Sequence, residues 1–126
     1  MRQYIEPFVA RQIATRQTED EITSYYDEVG KLLAEAYFHD GEFYSAVFYG
    51  TGEQQTPVTK EQAEKIAQHV QTVFQQEQLV IDSIEQINNE FFVMLKMLEP
   101  VYDMPIRGTG MNITISATGF VEEVTL

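Results

Sequence analysis

The chain has 126 residues, of which 44% are apolar and 12% are aromatic, and it contains no cysteine. This length and composition predict a single domain over residues 1–126, and the lack of cysteine excludes disulfides, thiolate metal sites and cysteine nucleophiles. The formal net charge of −12, from 8 basic and 20 acidic residues, opposes direct binding to nucleic acid and to anionic lipid.

The first predicted element is a short strand over about residues 8–15, where Val9, Arg11 and Ile13 alternate with the residues between them. Apolar residues of the same segment also fit one face of a helix. The pattern leaves both alternatives open, and we favour the strand.

A helix is predicted next, from Thr18 to about His39. Thr18 and Glu21 have the spacing of a capping box, and Gly41 offers a left-handed residue beyond the end. Gly30 inside this helix should cost roughly 1 kcal/mol relative to alanine. The apolar face is formed by residues that recur at helical spacing, namely Ile22, Tyr25, Tyr26, Val29, Leu32, Leu33 and Ala36.

The remainder of the chain predicts one more helix among several strands. A strand over residues 42–49 is apolar on both faces, which is typical of a central strand. A second capping box, Thr59 with Gln62, begins a helix over about residues 60–77. Asn88 and Asn89 tolerate the positive φ angles of a tight hairpin. The other predicted strands cover residues 79–87, 90–98, 111–117 and 120–125, with a loop over residues 99–110.

Together these elements predict an α+β fold. Two amphipathic helices pack on one face of a mostly antiparallel sheet of roughly four to five strands. The order is helix, strand, helix, followed by a C-terminal strand meander. Because several strands are apolar on both faces, we expect a homodimer that buries the face left uncovered by the helices.

A candidate interaction surface lies in the predicted first helix. From Glu19 to Glu42 the chain holds eight carboxylates, and Lys31 is the only basic residue other than histidine. Carboxylates favour association with a basic partner, and tyrosines contribute affinity. The candidate surface therefore comprises Glu19, Asp20, Tyr25, Tyr26, Asp27, Glu28, Glu35 and Tyr37.

A candidate anion-binding turn lies in the loop over residues 99–110. Glycines let backbone N–H groups converge on an anion, and an arginine beside them adds positive charge. Arg107, Gly108 and Gly110 provide that combination. The turn does not stand between a strand and a helix with phosphate-binding spacing, so ordinary turn chemistry is the simpler interpretation.

Metal and catalytic chemistry have weaker support. His39, Asp40 and Glu42 are ligand types for a divalent metal, but they lie on a turn with no second histidine nearby. The remaining histidine, His69, lies on the predicted second helix. No serine lies in a nucleophile-elbow setting. We therefore expect no metal, no cofactor and no enzymatic activity.

The leading hypothesis is a non-enzymatic acidic protein that acts through protein–protein contacts as a homodimer. One alternative is a small-ligand binding module that holds an anion near Arg107. Further alternatives are an acidic inhibitor or nucleic-acid mimic that binds a basic protein, and an assembly component of a larger particle. No apolar run is long enough for a membrane span and no secretory signal is present, so we expect a cytoplasmic protein without membrane contact.

Overall fold

A computed structural model of the chain describes residues 2–49, 56–97 and 110–126. Within them the backbone forms one eight-stranded sheet in which every neighbouring pair is antiparallel. The strands are β1 (Thr15–Glu19), β2 (Ile22–Tyr26), β3 (Leu32–His39), β4 (Glu42–Phe48), β5 (Val80–Ile87), β6 (Glu90–Lys96), β7 (Met111–Ile115) and β8 (Val121–Thr125).

The sheet consists of two four-stranded meanders placed side by side, with the strand order β1-β2-β3-β4-β8-β7-β6-β5. A helical segment precedes each meander. The first is α1 (Arg2–Ile5), which continues into a 3₁₀ turn over Glu6–Phe8, and the second is α2 (Lys60–Val73). The architecture is therefore repeated, although the sequence shows no repeat.

The predicted fold class is wrong in both strand number and helix content. The sheet has eight strands instead of four to five, and the helical segments are 7 and 14 residues long. The predicted helix from Thr18 to His39 is instead the end of β1, all of β2 and β3, and their turns. The strand predicted over residues 8–15 is absent, because Phe8 ends the 3₁₀ turn, residues 9–14 are neither helix nor strand, and β1 begins only at Thr15.

Cross-strand contacts explain why residues 18–26 form a hairpin and not a helix. The hydroxyl oxygens of Thr18 and Thr23 lie 3.1 Å apart across the β1–β2 hairpin, so Thr18 does not cap a helix. The carboxylate of Glu21 accepts a hydrogen bond from the backbone N–H of Asp40 at 3.1 Å. Burial alternates along β2, where Thr23 and Tyr25 are buried. Threonine and tyrosine favour such a half-buried pleated strand.

Asp27 and Gly30 form the turn between β2 and β3. The Asp27 carboxylate accepts the backbone N–H groups of Val29 at 3.0 Å and Lys31 at 2.8 Å, and Gly30 has a φ of 84°. The Lys31 hydrogen bond is the main cause of a lowered pKa at Asp27, and the Arg11 guanidinium 3.5 Å away contributes. The turn is therefore stabilised above the ordinary pKa of 3.8, and this contribution is lost as the pH falls through the lowered value.

The second predicted helix is confirmed as α2. Thr59 and Gln62 form both bonds of the capping box, with the Thr59 N–H donating to the Gln62 side chain at 2.7 Å. The helix ends at Val73, earlier than predicted, and Gln75 takes a φ of 57°. The buried amide of Gln71 donates to the carbonyl oxygens of Gln76 and Leu79 and so closes the connection to β5.

Aromatic rings join both helical segments to the sheet. Phe74, which follows the last residue of α2, stacks on Tyr4 at 5.4 Å, on Phe43 of β4 at 5.6 Å and on Phe8 at 6.2 Å between ring centroids. Phe8 also makes an edge contact with Phe48 of β4 at 5.5 Å. These rings fix the helical segments on the same face of the sheet, which is the buried face.

The predicted C-terminal strands are present. Asn88 and Asn89 have φ angles of 51° and 67°, as a tight hairpin between β5 and β6 requires. The buried face of this meander is apolar, and its central row continues into β3 and β4. In register, that row reads Ala36, Ala46, Val124, Ile113, Val93 and Ile84.

Candidate interaction surface

The second face of the sheet, called the open face below, has no described helix packed on it. Strand pairing defines the residues that line it, because side chains alternate between the two faces of each strand. Two rows cross all eight strands. In register they read Gln17, Ser24, Glu35, Val47, Glu123, Thr114, Phe92 and Glu85, and Glu19, Ile22, Tyr37, Ser45, Thr125, Asn112, Met94 and Ser83.

Four large apolar side chains on the open face of β5 and β6 form a group called the apolar stripe below. Their exposed fractions are 51% for Met94, 50% for Ile87, 43% for Val80 and 36% for Phe92. Register places all four on the face opposite the buried Leu95 and Val93. In register each of them lies opposite a polar residue, so the apolar stripe runs diagonally across the two strands between Lys96, Ser83, Glu85 and Glu90. Exposed apolar side chains concentrated on one part of a sheet face are typical of a contact site.

Strand β5 forms one edge of the sheet. The register of β5 against β6 shifts between Ile81 and Ser83, so Asp82 is an extra residue at this point. Its carboxylate lies 2.9 Å from the Lys96 ammonium group. A bulge and a charge at an edge oppose strand-to-strand pairing with another chain. The apolar stripe is therefore better suited to contacts through the face of the sheet than through its edge.

The charged side chains of the open face are almost all carboxylates. Within the described strands, Lys96 is the only lysine or arginine on this face, and it pairs with Asp82. The acidic members, beyond Asp82, are Glu19, Glu35, Glu42, Glu85, Glu90, Glu122 and Glu123. This face therefore combines apolar side chains with surplus negative charge.

Among these carboxylates, the pKa of Glu122 is the one that folding shifts most clearly. It is an extra residue in β8, because Ile115 pairs with Val121 and Thr114 pairs with Glu123. Burial raises the pKa of Glu122, and the nearby charge of Glu90 raises it further. Its Oε1 atom is buried and has no hydrogen-bond partner among the described residues. Ionised Glu122 therefore opposes folding.

Replacing Glu122 with glutamine is expected to raise the free energy of unfolding at neutral pH. A carboxyl whose pKa is raised by folding stabilises the protein below its ordinary pKa, here 4.5, and this contribution is lost as the pH rises through the raised value. The amide has no charge to desolvate, so the gain should disappear in acid. Urea unfolding at pH values on both sides of 4.5 measures the difference.

Glu123→Gln is the matched control, because it removes the neighbouring, exposed carboxylate. We expect a smaller effect from this control variant. If Glu122→Gln gave the same change in acid as at neutral pH, the change would come from packing and the role of ionisation would be refuted.

Tyrosines and one carboxylate form a second group on the open face, over β3 and β4. The Tyr49 hydroxyl donates to Glu35 Oε1 at 2.6 Å, and this bond raises the pKa of Tyr49. Burial, and then the Glu35 charge, raise the pKa of Tyr37. The rings of Tyr37 and Tyr44 lie 6.4 Å apart. Because their pKa values are raised, Tyr37 and Tyr49 remain neutral at physiological pH and offer hydroxyl groups beside the Glu35 carboxylate.

The structure divides the predicted surface residues between two sides of the sheet. Glu35 and Tyr37 lie on the open face. Glu19, Asp20, Tyr26 and Glu35 line one shallow depression of about 210 Å³ with neighbouring β1 and β2 residues. Six members stay on the surface in this arrangement, namely Glu19, Asp20, Tyr26, Glu28, Glu35 and Tyr37.

Tyr25 and Asp27 do not belong to an exposed surface. Tyr25 is buried on the helix-covered face, and Asp27 is buried within the turn after β2. Glu28 lines a different depression beside Arg11. A helical acidic face over residues 22–36 therefore does not exist, because these residues form strands and their turn.

Sequence reasoning missed the apolar stripe, although it identified apolar residues on both faces of β6. The pairing of β4 with β8, which brings Glu123 beside Val47, carries no local signal.

The predicted anion-binding turn is only partly within the described residues. Arg107 and Gly108 lie outside them. Gly110 is described and directly precedes β7. A Cβ atom there would lie 3.3 Å from the carbonyl oxygen of Leu95, so a close backbone approach explains this glycine.

The two histidines lie in different surroundings. His39 lies with Asp40 and Glu21 at the exposed ends of two hairpins, where one ligand atom from each is within 4.8 Å of the others. The His39 Nε2 atom is 3.5 Å from Asp40 Oδ2. His69 lies on α2 against the edge of the Phe8 ring, at 5.8 Å between centroids. Glu42, proposed with His39 from the sequence, does not belong to this group.

Comparison with known proteins gives one structural relationship. No family model matches the chain, and no curated protein is detectably similar in sequence. The C-terminal domain of YpeB from Bacillus megaterium has a similar fold, with a TM-score of 0.66 and 15% sequence identity. The match covers 98% of this chain and 58% of that chain, so this chain spans less than two thirds of its length. Similarity at this level shows the fold alone.

In the described parts of the chain, neither helical segment has the length and apolar character needed to cross a bilayer.

Proposed function

We propose that the protein acts without catalysis, by binding a basic partner protein through the open face. The occupant is a segment that presents apolar side chains together with lysine or arginine. The observation that carries this proposal is the position of the apolar stripe beside surplus carboxylates on one uncovered face.

Burial of the apolar stripe against the partner stabilises the complex. Met94 and Phe92 lie in adjacent register rows, so one partner side chain can cover both. Met adapts its shape to different partners, and Phe gives a large rigid contact area. Removing such exposed apolar area from water is the main favourable contribution to association.

The carboxylates select the sign of the partner's charge. Glu90 and Glu122 lie close enough for the charge of one to raise the pKa of the other. A cation placed between them would remove this repulsion and so lower the pKa of Glu122, while burial, the larger cause of its raised pKa, would remain. Complementary charge also speeds encounter and rejects acidic partners.

A second copy of the chain is the competing occupant, as the homodimer expected from the sequence would require. In a two-fold dimer through the open face, each surface meets its own copy. The acidic residues of this face would then approach the same residues of the partner, with Lys96 already paired to Asp82. Like charges in contact oppose association, so the basic partner is favoured.

Binding of a designed peptide tests the proposal. An amphipathic peptide of alternating leucine and lysine is titrated into isotope-labelled protein, and amide NMR shifts are followed. Saturable shifts are expected along β5, β6 and β8, and binding should weaken as NaCl screens the charges. A peptide of leucine and glutamate serves as the charge-reversed comparison and should not bind.

Two variants locate the contact. Met94→Ser should weaken binding by about fivefold or more, as expected for a contact residue whose loss costs about 1 kcal/mol. Val29→Ser removes a valine that is 81% exposed in the β2–β3 turn, outside the open face, and should leave binding unchanged. Equal binding of the leucine–glutamate peptide would refute the charge selection. A dimer detected by light scattering and abolished by Met94→Ser would assign the face to a second copy.

A further inference from the structure

A concave groove lies on the helix-covered side of the sheet, away from the open face. Its walls come from the segment after α1, from one face of α2 and from the turn between β7 and β8. Its volume is about 440 Å³, within the range of roughly 300–1,000 Å³ that is common for small-molecule sites. Most of the lining is apolar and includes Phe8, Val9, Ile66, Phe120 and Val121.

The charged and titratable groups of the groove are Lys65 and His69. They lie one turn apart on α2, so both side chains reach the same groove. Among the described residues no carboxylate lines it, although the protein has 20 acidic residues. Lys65 forms no ion pair within residues 2–49, 56–97 and 110–126, even though Glu61 lies one turn earlier. The groove therefore combines an apolar lining with a cation that no described carboxylate pairs.

Gly119 shows that the groove is held in shape by close packing. Its φ is +90°, which a residue with a side chain rarely adopts. A Cβ atom there would lie 3.1 Å from Val58 Cγ1 and 3.2 Å from Ile66 Cδ1. The β7–β8 turn therefore rests directly against α2, and this wall of the groove does not need to form when a ligand enters.

We infer that this groove binds a small molecule with an apolar body and one carboxylate group. The body lies against Phe8, Ile66 and Phe120, where it is removed from water. The carboxylate pairs with the Lys65 ammonium group and accepts a hydrogen bond from a His69 ring nitrogen. This is a function separate from the proposed protein contact, because the two surfaces lie on opposite sides of the sheet.

Octanoate is a suitable probe, and octanol is its matched comparison because it has the same apolar body without the charge. Amide NMR titration of the labelled protein should show saturable octanoate shifts at Gly119, Phe120 and the middle of α2. Lys65→Gln should weaken octanoate binding by about fivefold, as expected for loss of a partly exposed ion pair. Lys60→Gln removes the same charge from the start of α2, outside the groove, and should have no effect.

Several outcomes would overturn the inference. Octanol binding as tightly as octanoate would refute recognition of the carboxylate. Equal weakening of octanoate binding by Lys60→Gln and Lys65→Gln would mean that net charge, and not a specific contact with Lys65, controls the affinity. Octanoate shifts confined to β5 and β6 would place the ligand on the apolar stripe instead. Met94→Ser should leave octanoate binding unchanged, so the tests of the two surfaces remain independent.

Discussion

Replacing Phe74 with alanine is expected to lower the free energy of unfolding by about 3–5 kcal/mol, the range found for deletion of a large buried aromatic side chain. Phe74 is only 5% exposed and stacks on Tyr4, Phe8 and Phe43. These three rings belong to the N-terminal segment and to β4, so the cavity would loosen both from α2. Denaturant unfolding followed by far-ultraviolet circular dichroism measures the loss.

Phe92→Ala is the matched control, since it deletes the same side chain from the open face. Phe92 is 36% exposed, and the expected loss is below about 1 kcal/mol. The control should instead weaken binding of the leucine–lysine peptide. Equal loss of stability in the two variants would mean that the open face is covered in solution or that Phe74 does not join the helical segments to the sheet.

A still sharper contrast is expected between adjacent residues of β6. Val93→Asp is expected to destabilise the fold by about 3–5 kcal/mol, the cost of leaving a buried charge without a partner. Val93 is 1% exposed and stands in register between Ile84 and Ile113. The free energy of unfolding, measured in urea, should therefore fall by about this amount.

Met94→Asp is expected to change the free energy of unfolding by less than about 0.5 kcal/mol, because Met94 is 51% exposed on the opposite face. A nearly unchanged free energy of unfolding in this variant, and a large fall in Val93→Asp, would establish the register of β6. A Val93→Asp variant of unchanged stability, or equal destabilisation by both substitutions, would contradict the assignment of buried and open faces.

Local signals account for the elements that were predicted correctly. The Thr59 and Gln62 capping box lies within four consecutive residues, and both of its bonds form. The Asn88-Asn89 hairpin depends on two residues that accept positive φ. Both features involve residues that are close together in the sequence, so both can be predicted without the tertiary structure.

The segment from Thr18 to His39 shows where local signals fail. The apolar residues of this segment, including Ile22 and Tyr25, fit one face of a helix but are also compatible with a strand, and Thr18 and Glu21 have capping-box spacing. Pairing with residues further along the chain decides between helix and strand. Thr18 contacts Thr23 across a hairpin, and Glu21 accepts the Asp40 N–H. Contacts of this kind join separate strands, so the spacing of apolar residues along the chain cannot predict them.

The sequence by itself determined a cysteine-free, strongly acidic chain with one capped helix, a hairpin at Asn88-Asn89 and strands at its C-terminal end. Only the tertiary structure decided that the first half is also a strand meander and that β4 lies beside β8. That pairing gathers the carboxylates and the apolar stripe onto one face, while packing of α2 against a distant turn forms the groove with Lys65. Composition sets the total charge, but strand order and packing set which charges and apolar groups become neighbours, because both join residues far apart in the chain.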